Sequence, residues 1–303
     1  MESVRLMYYA WRVVAAIVGR LPLRASYGIA AFAGRIAFVF WPRGRRATLR
    51  NYRQVYPHLA AAEVRRLARQ SIINYCKYLV DFVRFPRENM ESLRAAVVGD
   101  ESYARLEKSI EECGGAIVVC MHFGNWDLGA GATAARGYPV TVIAETFADA
   151  RLDRMVVGAR EKLGMRVVKL DRVAPSILRT LKQKGVLALL LDRPVPGDGV
   201  RVEFFGRSVE VPAGPARLAL RSGAAVIPAA FARKHPWKAD VTALTDFSIV
   251  PMRTGDHEAD VVSLTQSIMT AHERFIRAYP DQWYMFRDMW PANVDAGGSG
   301  LTC

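Results

Sequence analysis

An α/β fold with a mostly parallel central sheet flanked by helices is predicted for this chain by three observations. Strand and helix signals alternate from residue 116 to residue 231, and such alternation builds a parallel sheet covered on both faces. The strand signals are short, continuous apolar runs, AIVVCM at 116–121 and VLALLL at 186–191, as expected of strands buried on both sides. The helical stretches repeatedly stop at glycine, which takes up the left-handed conformation of a helix C-terminus without a steric penalty.

Taken in order, a helical apolar rhythm runs over 61–85, bracketed by Pro57 and Pro86. The strand Ala116–Met121 follows Gly114 and Gly115, and residues 126–136 read as a helix. Val140–Ala144 is a second strand, and Leu152–Leu163 a helix ending at Gly164. Arg166–Leu170 is a strand, Pro175–Lys184 a helix ending at Gly185, and Val186–Leu191 a strand. Pro215–Arg221 is a short helix closed by Gly223, and Ala224–Phe231 returns as a strand. No internal repeat is present. Residues 1–50 stand apart as a basic, aromatic helical segment, 51–295 form the main domain, and 296–303 are expected to be a flexible tail of small residues.

With 303 residues, 51% of them hydrophobic and 23% charged, the chain can bury a sizeable core. Its net charge of +13 is local: the first 90 residues hold sixteen Lys/Arg against four Asp/Glu, and the rest carries 26 against 25. These charges sit among Tyr8, Tyr9, Trp11, Tyr27, Phe32, Phe38, Phe40 and Trp41, with Arg12, Arg20, Arg24 and Arg35 between the apolar runs and Arg43, Arg45 and Arg46 after them. Apolar surface for the acyl boundary with cations at the headgroups describes a membrane-associating segment rather than a nucleic-acid arm. Leu6–Val18 falls short of the about 20 apolar residues that a bilayer requires. Ala25–Trp41 carries Arg35 near its middle, which is costly in hydrocarbon. Peripheral or monotopic attachment is therefore expected, with a single pass as the alternative. No small-residue cleavage site of a secretory signal is present. Cys76, Cys113, Cys120 and Cys303 lack metal-ligand or disulfide-framework spacing, which suits the cytoplasmic side of a membrane.

The sharpest local feature is His122-Phe123-Gly124-Asn125-Trp126-Asp127, directly after the 116–121 strand. Functional groups gather at the carboxyl ends of parallel strands. In one continuous helix His122 and Asp127 would point apart, so they can meet only if the backbone turns between them. Gly124 permits that turn, and Asn125 can cap the following helix. A carboxylate on one imidazole nitrogen leaves the other free to take a proton from a hydroxyl. His58, His235, His257 and His272 have no such pattern around them, and no ligand set of metal-binding spacing accompanies His122.

The string HFGNWD resembles the His-x4-Asp/Glu motif of the glycerolipid acyltransferase superfamily. It is most similar to the bacterial branch of lipid A late acyltransferases and phosphatidylinositol mannoside acyltransferases. The likeness extends over nearly the whole chain: Arg160 and Gly164 in REKLG, the block from LLLDRP to VIPAAF with its Phe-Phe-Gly, and Tyr-Pro-Asp-Gln-Trp-Tyr-Met-Phe at 279–286. It implies a glycerolipid acyltransferase-like fold and O-acyl transfer from an acyl thioester, on acyl carrier protein or coenzyme A, to a hydroxyl of a membrane glycolipid. No acyl-enzyme and no bound cofactor are implied. His122 would be the general base and Asp127 its orienting carboxylate. Gly124, Asn125, Arg160, Asp192, Arg193 and Glu203 would serve substrate binding, with Arg160 suited to a phosphate. The setting implied is the cytoplasmic face of a bacterial inner membrane with anionic lipid. Lipid A enzymes commonly carry Glu where this chain has Asp127, and Asp-Gln where it has Asp192-Arg193. The Asp-Arg pair, Val-Glu-Phe-Phe-Gly and Pro-Ala-Gly-Pro at 212–215 lean toward the mannoside-type branch. A lysophospholipid acceptor is the alternative within the class, and a non-enzymatic membrane-surface protein the alternative outside it. A serine hydrolase is disfavoured because no Gly-x-Ser-x-Gly elbow occurs, and no nucleotide-binding glycine fingerprint is present.

Overall fold

A computed structural model describes residues 2–144, 146–147, 149–169, 173–193, 199–245 and 247–290. The tail expected at 296–303 lies outside the described residues. The chain opens with helices α1 (Glu2–Arg20), α2 (Leu23–Phe40), α3 (Pro42–Val55) and α4 (Ala61–Arg84). The last ends just ahead of Phe85-Pro86, as the restriction a proline places on its predecessor requires. There follow α5 (Met90–Ala96), β1 (Val97–Val98), α6 (Asp100–Cys113), β2 (Ala116–Cys120), α7 (Trp126–Ala135), β3 (Val140–Ala144) and α8 (Ala150–Lys162). Then come β4 (Arg166–Lys169), α9 (Val173–Lys182), β5 (Val186–Leu190), β6 (Gly199–Phe204), β7 (Arg207–Pro212) and α10 (Gly214–Ser222). The described part closes with β8 (Ala225–Arg233), β9 (Val241–Thr245) and α11 (His257–Ala278).

Among the described residues, seven strands form one sheet in the order β1-β9-β8-β2-β5-β3-β4. Every pairing from β8 to β4 is parallel, and β9 runs antiparallel to β8. The α/β architecture expected from the alternating signals is the one observed. β2 alternates between the two faces. Ile117, Val119 and Met121 pack with α9, α10, α11 and the separate β6–β7 hairpin. Ala116, Val118 and Cys120 face α4, α6, α7 and α8.

The short elements differ from the sequence reading in instructive ways. Gly164 and Gly223 take positive φ after α8 and α10 as expected, but after α9 the left-handed residue is Lys184 (φ 56°). Gly185 serves close approach instead: a Cβ there would fall 2.8 Å from the Thr180 carbonyl oxygen. The boundary drawn at residue 50 falls inside α3, whose Asn51 and Tyr52 are buried and hydrogen-bond the backbone of 280–287. The N-terminal helices are thus part of the domain's packing. α2 buries Tyr27, Ala30, Ala31, Gly34 and Phe38 and exposes Ile29, Phe32, Ile36, Val39 and Phe40. By length and composition α2 is apolar enough to cross a bilayer, with a mean hydropathy of 1.2.

Candidate active site

His122 lies in the turn between β2 and α7, and three backbone contacts fix that turn. The His122 carbonyl accepts from Tyr284 N–H at 2.8 Å, Gly124 N–H donates to the Gln282 carbonyl at 2.9 Å, and Asn125 N–H donates to the Phe231 carbonyl at 2.8 Å. Gly124 has φ +59°, and a Cβ there would sit 1.9 Å from the Phe231 carbonyl oxygen. No other residue fits this position. Asn125 then caps α7, its side-chain oxygen accepting from Leu128 N–H at 3.1 Å, as N-terminal caps do. Gln282 belongs to the same arrangement. It accepts from Arg233 N–H at 2.7 Å and donates to the Arg233 carbonyl at 3.0 Å.

The carboxylate that meets His122 is Asp192. His122 Nδ1 lies 2.7 Å from Asp192 Oδ1, and His122 N–H donates to Asp192 Oδ2 at 2.9 Å. Strand register explains the meeting: Cys120 pairs with Leu190 in the parallel β2–β5 ladder, so the residues two places beyond each emerge side by side. Burial alone would raise the pKa of Asp192, but the His122 ring and backbone N–H, with help from Arg193, hold it below the usual value. An ionised carboxylate only accepts, so Nδ1 donates, and in the neutral ring this tautomer leaves the lone pair on Nε2. Among the described residues Nε2 has no hydrogen-bond partner, and His122 remains 8% exposed.

Asp127, expected to orient His122, does not make that contact. The turn at Gly124 forms as anticipated, but Asp127 sits in the first turn of α7 and faces α4 and α8. Arg160 donates from Nε to its Oδ1 at 2.7 Å and from a terminal nitrogen to Oδ2 at 3.2 Å, and Tyr78 Oη donates to Oδ2 at 2.7 Å. Burial opposes the Arg160 charge, but Asp127 beside it raises the guanidinium pKa above the ordinary value. Burial, then the Asp127 charge, hold the Tyr78 hydroxyl well above the usual range, so it acts as a donor. The two clusters are joined by rings: Trp126 stacks on Tyr78 with centroids 4.1 Å apart and meets His122 edge-on at 5.2 Å.

Of the remaining expected residues, half-buried Arg193 follows Asp192 directly. Glu203 is exposed on β6, where its backbone N–H and carbonyl bond the Gln266 side chain of α11. That places it on the α11 side of the sheet, whereas Trp126, Asp127 and Arg160 lie on the α7 side. Cys120 is buried as expected, and burial pushes its thiol up to about 12.

Sequence reasoning missed a second buried cluster. Asp81 on α4 is bonded by Arg233 of β8 and by Tyr27 of α2, Arg233 donates to Tyr27 Oη at 2.7 Å, and Asn125 Nδ2 donates to Asp81 Oδ2 at 2.8 Å. A signal existed: Asp81 interrupts the apolar stretch YLVDFV, and buried charges are retained when they are paired.

On the α7 side of the sheet a narrow apolar cavity, partly open to solvent, runs beneath that helix. Cys120, Leu190, Trp126, Asp127 and Arg160 line its end near His122, and Val140 and Val186 line it at the start of the strands. An imidazole oriented by a carboxylate near such a cavity has the geometry to take a proton from a hydroxyl next to an apolar chain.

A model of the bacterial lipid A biosynthesis acyltransferase family matches residues 2–291. The chain is also similar to a phosphatidylinositol mannoside acyltransferase of Mycolicibacterium smegmatis, 30% identical over 75% of this chain and 73% of the relative. A protein of the same name from Mycobacterium tuberculosis (strain CDC 1551 / Oshkosh) is 28% identical over 74% of this chain and 70% of its own length. With its α/β core and a family match over nearly the whole chain, this protein belongs to the bacterial lipid A biosynthesis acyltransferase family and is an acyltransferase.

Proposed function

We propose that this acyltransferase moves a fatty acyl chain from an acyl thioester to a hydroxyl of a membrane glycolipid, with His122 as general base. The carrier is acyl carrier protein or coenzyme A, and the acceptor is a lipid A precursor-like or phosphoinositol mannoside-like lipid. The observation that carries the reading is the His122 Nδ1–Asp192 hydrogen bond of 2.7 Å, with Trp126 of the cavity lining edge-on to the His122 ring. Nε2 takes the proton of the acceptor hydroxyl, and the oxygen attacks the thioester carbonyl. The carbon–sulfur bond then breaks and the thiol leaves with the proton from His122. Asp192 holds the tautomer and stabilises the imidazolium that forms. Asp127 and Tyr78 fix Arg160, whose guanidinium lines the cavity and is suited to an anionic substrate group. The acyl chain occupies the cavity. The relatives' names and the Asp192-Arg193 pair favour a mannoside-type acceptor.

The exposed ridge on α1 and α2, with Val13, Ile17, Ile29, Phe32 and Ile36, lies against the cytoplasmic face of a bacterial inner membrane and among anionic headgroups. Peripheral attachment is favoured because the opposite face of α2 is built into the domain.

The test mixes purified protein, long-chain acyl thioester and glycolipid in vesicles, following thiol release and lipid mass. Wild type should release one thiol per acylated lipid, and His122→Ala should lose on the order of 10²–10⁴ in rate. Thiol release without acylated lipid would contradict transfer, and equal turnover by the variant would contradict the role of His122.

A further inference from the structure

We propose that the Phe231 ring, with Val118 and Thr133, is the end-stop that sets the length of acyl chain this enzyme accepts; this rests on the reading above that the chain enters the cavity under α7. Val118, Thr133 and Phe231 line that cavity and also a second, smaller one. The first lies over β2, β5 and β3. The second lies over β2, β8 and β9, beneath α6, where Leu106, Ile227, Ala229 and Ala243 line it. Of the hydroxyls there, Thr245 Oγ1 donates to Ser102 Oγ at 3.0 Å and Ser102 Oγ donates to the Ala243 carbonyl at 3.2 Å, while the buried Tyr103 Oη has no hydrogen-bond partner among the described residues. Apart from that one hydroxyl the second cavity offers an apolar chain the same kind of surroundings as the first, and Val118, Thr133 and Phe231 are the lining the two share.

The wall is held rigidly. The ring of Phe231 rests on the backbone of α7 at Gly129, where a Cβ would come within 2.4 Å of three of its carbons. Its carbonyl fixes the Asn125 N–H in the turn that carries His122. Thr133 is tied by its hydroxyl to the Gly129 carbonyl at 2.9 Å. A chain that stops at this wall gains about four-fold in affinity for each methylene buried. A chain that is too long must leave carbons in water or displace an interdigitated ring. Beyond the wall, β8 and β9 span on the order of 10 Å in two strand spacings, enough for several further carbons.

The experiment is transfer from a series of saturated acyl thioesters of increasing length to one glycolipid acceptor, read as the ratio of kcat/KM for long against short chains. In wild type, kcat/KM should climb with length and then break. Phe231→Ala should move the break to longer chains and change the long-to-short ratio by about ten-fold or more, the worth of roughly two buried methylenes. Thr133→Ala, a smaller change that leaves the ring in place, should shift the ratio in the same direction. Ala243→Leu added to Phe231→Ala refills the second cavity and should restore the wild-type break. A lower rate with an unchanged length ratio in both single variants would overturn the end-stop while leaving acyl transfer intact. Absence of transfer by wild type at every length would overturn the underlying reading instead.

Discussion

Two carboxylates lie near the turn after β2, and strand register decides which of them meets His122. The one two residues beyond β5 is Asp192, whereas Asp127 is engaged by Arg160 and Tyr78. Both were legible as candidates, because acidic residues at a strand end and five positions past the histidine stand out in the sequence. Their pairing was not legible, since it depends on which strand lies beside β2. At the same scale, Gly124→Ala should be strongly destabilising, because both its φ of +59° and its 1.9 Å Cβ–carbonyl approach forbid a side chain. A loss of more than about 2 kcal/mol in urea denaturation is expected. Another single residue gives a pH signature. His272 on α11 is fully buried, and burial pushes its pKa down to about 4. The unfolded chain binds its proton below about pH 6.5 while the folded chain does not. Stability is therefore intact above about pH 6.5 and falls as pH drops toward 4, by about 3 kcal/mol in total from this group. Denaturation midpoints of His272→Gln should show a shallower fall over that window, and an identical slope would assign the loss to other groups.

At the scale of elements, the N-terminal helices are tied to the turn that carries His122 through buried charge. Tyr27 of α2 and Arg233 of β8 meet at Asp81 of α4, which also holds Asn125. Removing one partner of a buried pair leaves the other charge uncompensated. Arg233→Met should thus cost about 3–5 kcal/mol, whereas Tyr27→Phe should cost about 1–2 kcal/mol, both read from equilibrium unfolding. A cost below about 1 kcal/mol for Arg233→Met would show that Asp81 finds another partner. Several elements were readable because apolar period and length agree in them: α4, β2, β3 and β5 lie within a residue or two of the expected bounds, whereas the helices α6 and α11 were not read. β9 and the β6–β7 hairpin were missed. Their alternating pattern, exposed on one side in β6, gives a weaker signal than a buried run. The membrane-like composition of residues 1–50 was visible, but its packing against α4 rests on contacts that composition does not encode.

For the whole molecule, the apolar ridge of α1 and α2 is exposed while their opposite faces pack on the domain, so the proposed lipid contact can be tested apart from folding. Deleting residues 1–50 would remove buried Tyr27 and Phe38, uncover their apolar partners Ile72 and Val80 on α4 and cut α3, confounding the two. The combined change Phe32→Asp and Ile36→Asp is the cleaner probe, since Phe32 is 62% exposed and Ile36 42%. Each buried apolar side chain of this kind contributes about 1.5–3 kcal/mol at a lipid surface. Vesicle co-sedimentation should therefore fall by more than about ten-fold at an unchanged unfolding midpoint, and undiminished binding would move the lipid-facing surface elsewhere. The proposed chemistry depends on proton transfer through His122 as held by Asp192. Its most direct test is the acyl-transfer rate of Asp192→Asn in vesicles containing the glycolipid acceptor. Asparagine keeps the size but can stabilise the wrong imidazole tautomer and no longer balances the imidazolium, so kcat should drop by on the order of 10²–10⁴ in a folded protein. A folded Asp192→Asn variant that transfers acyl chains at the wild-type rate would contradict the account.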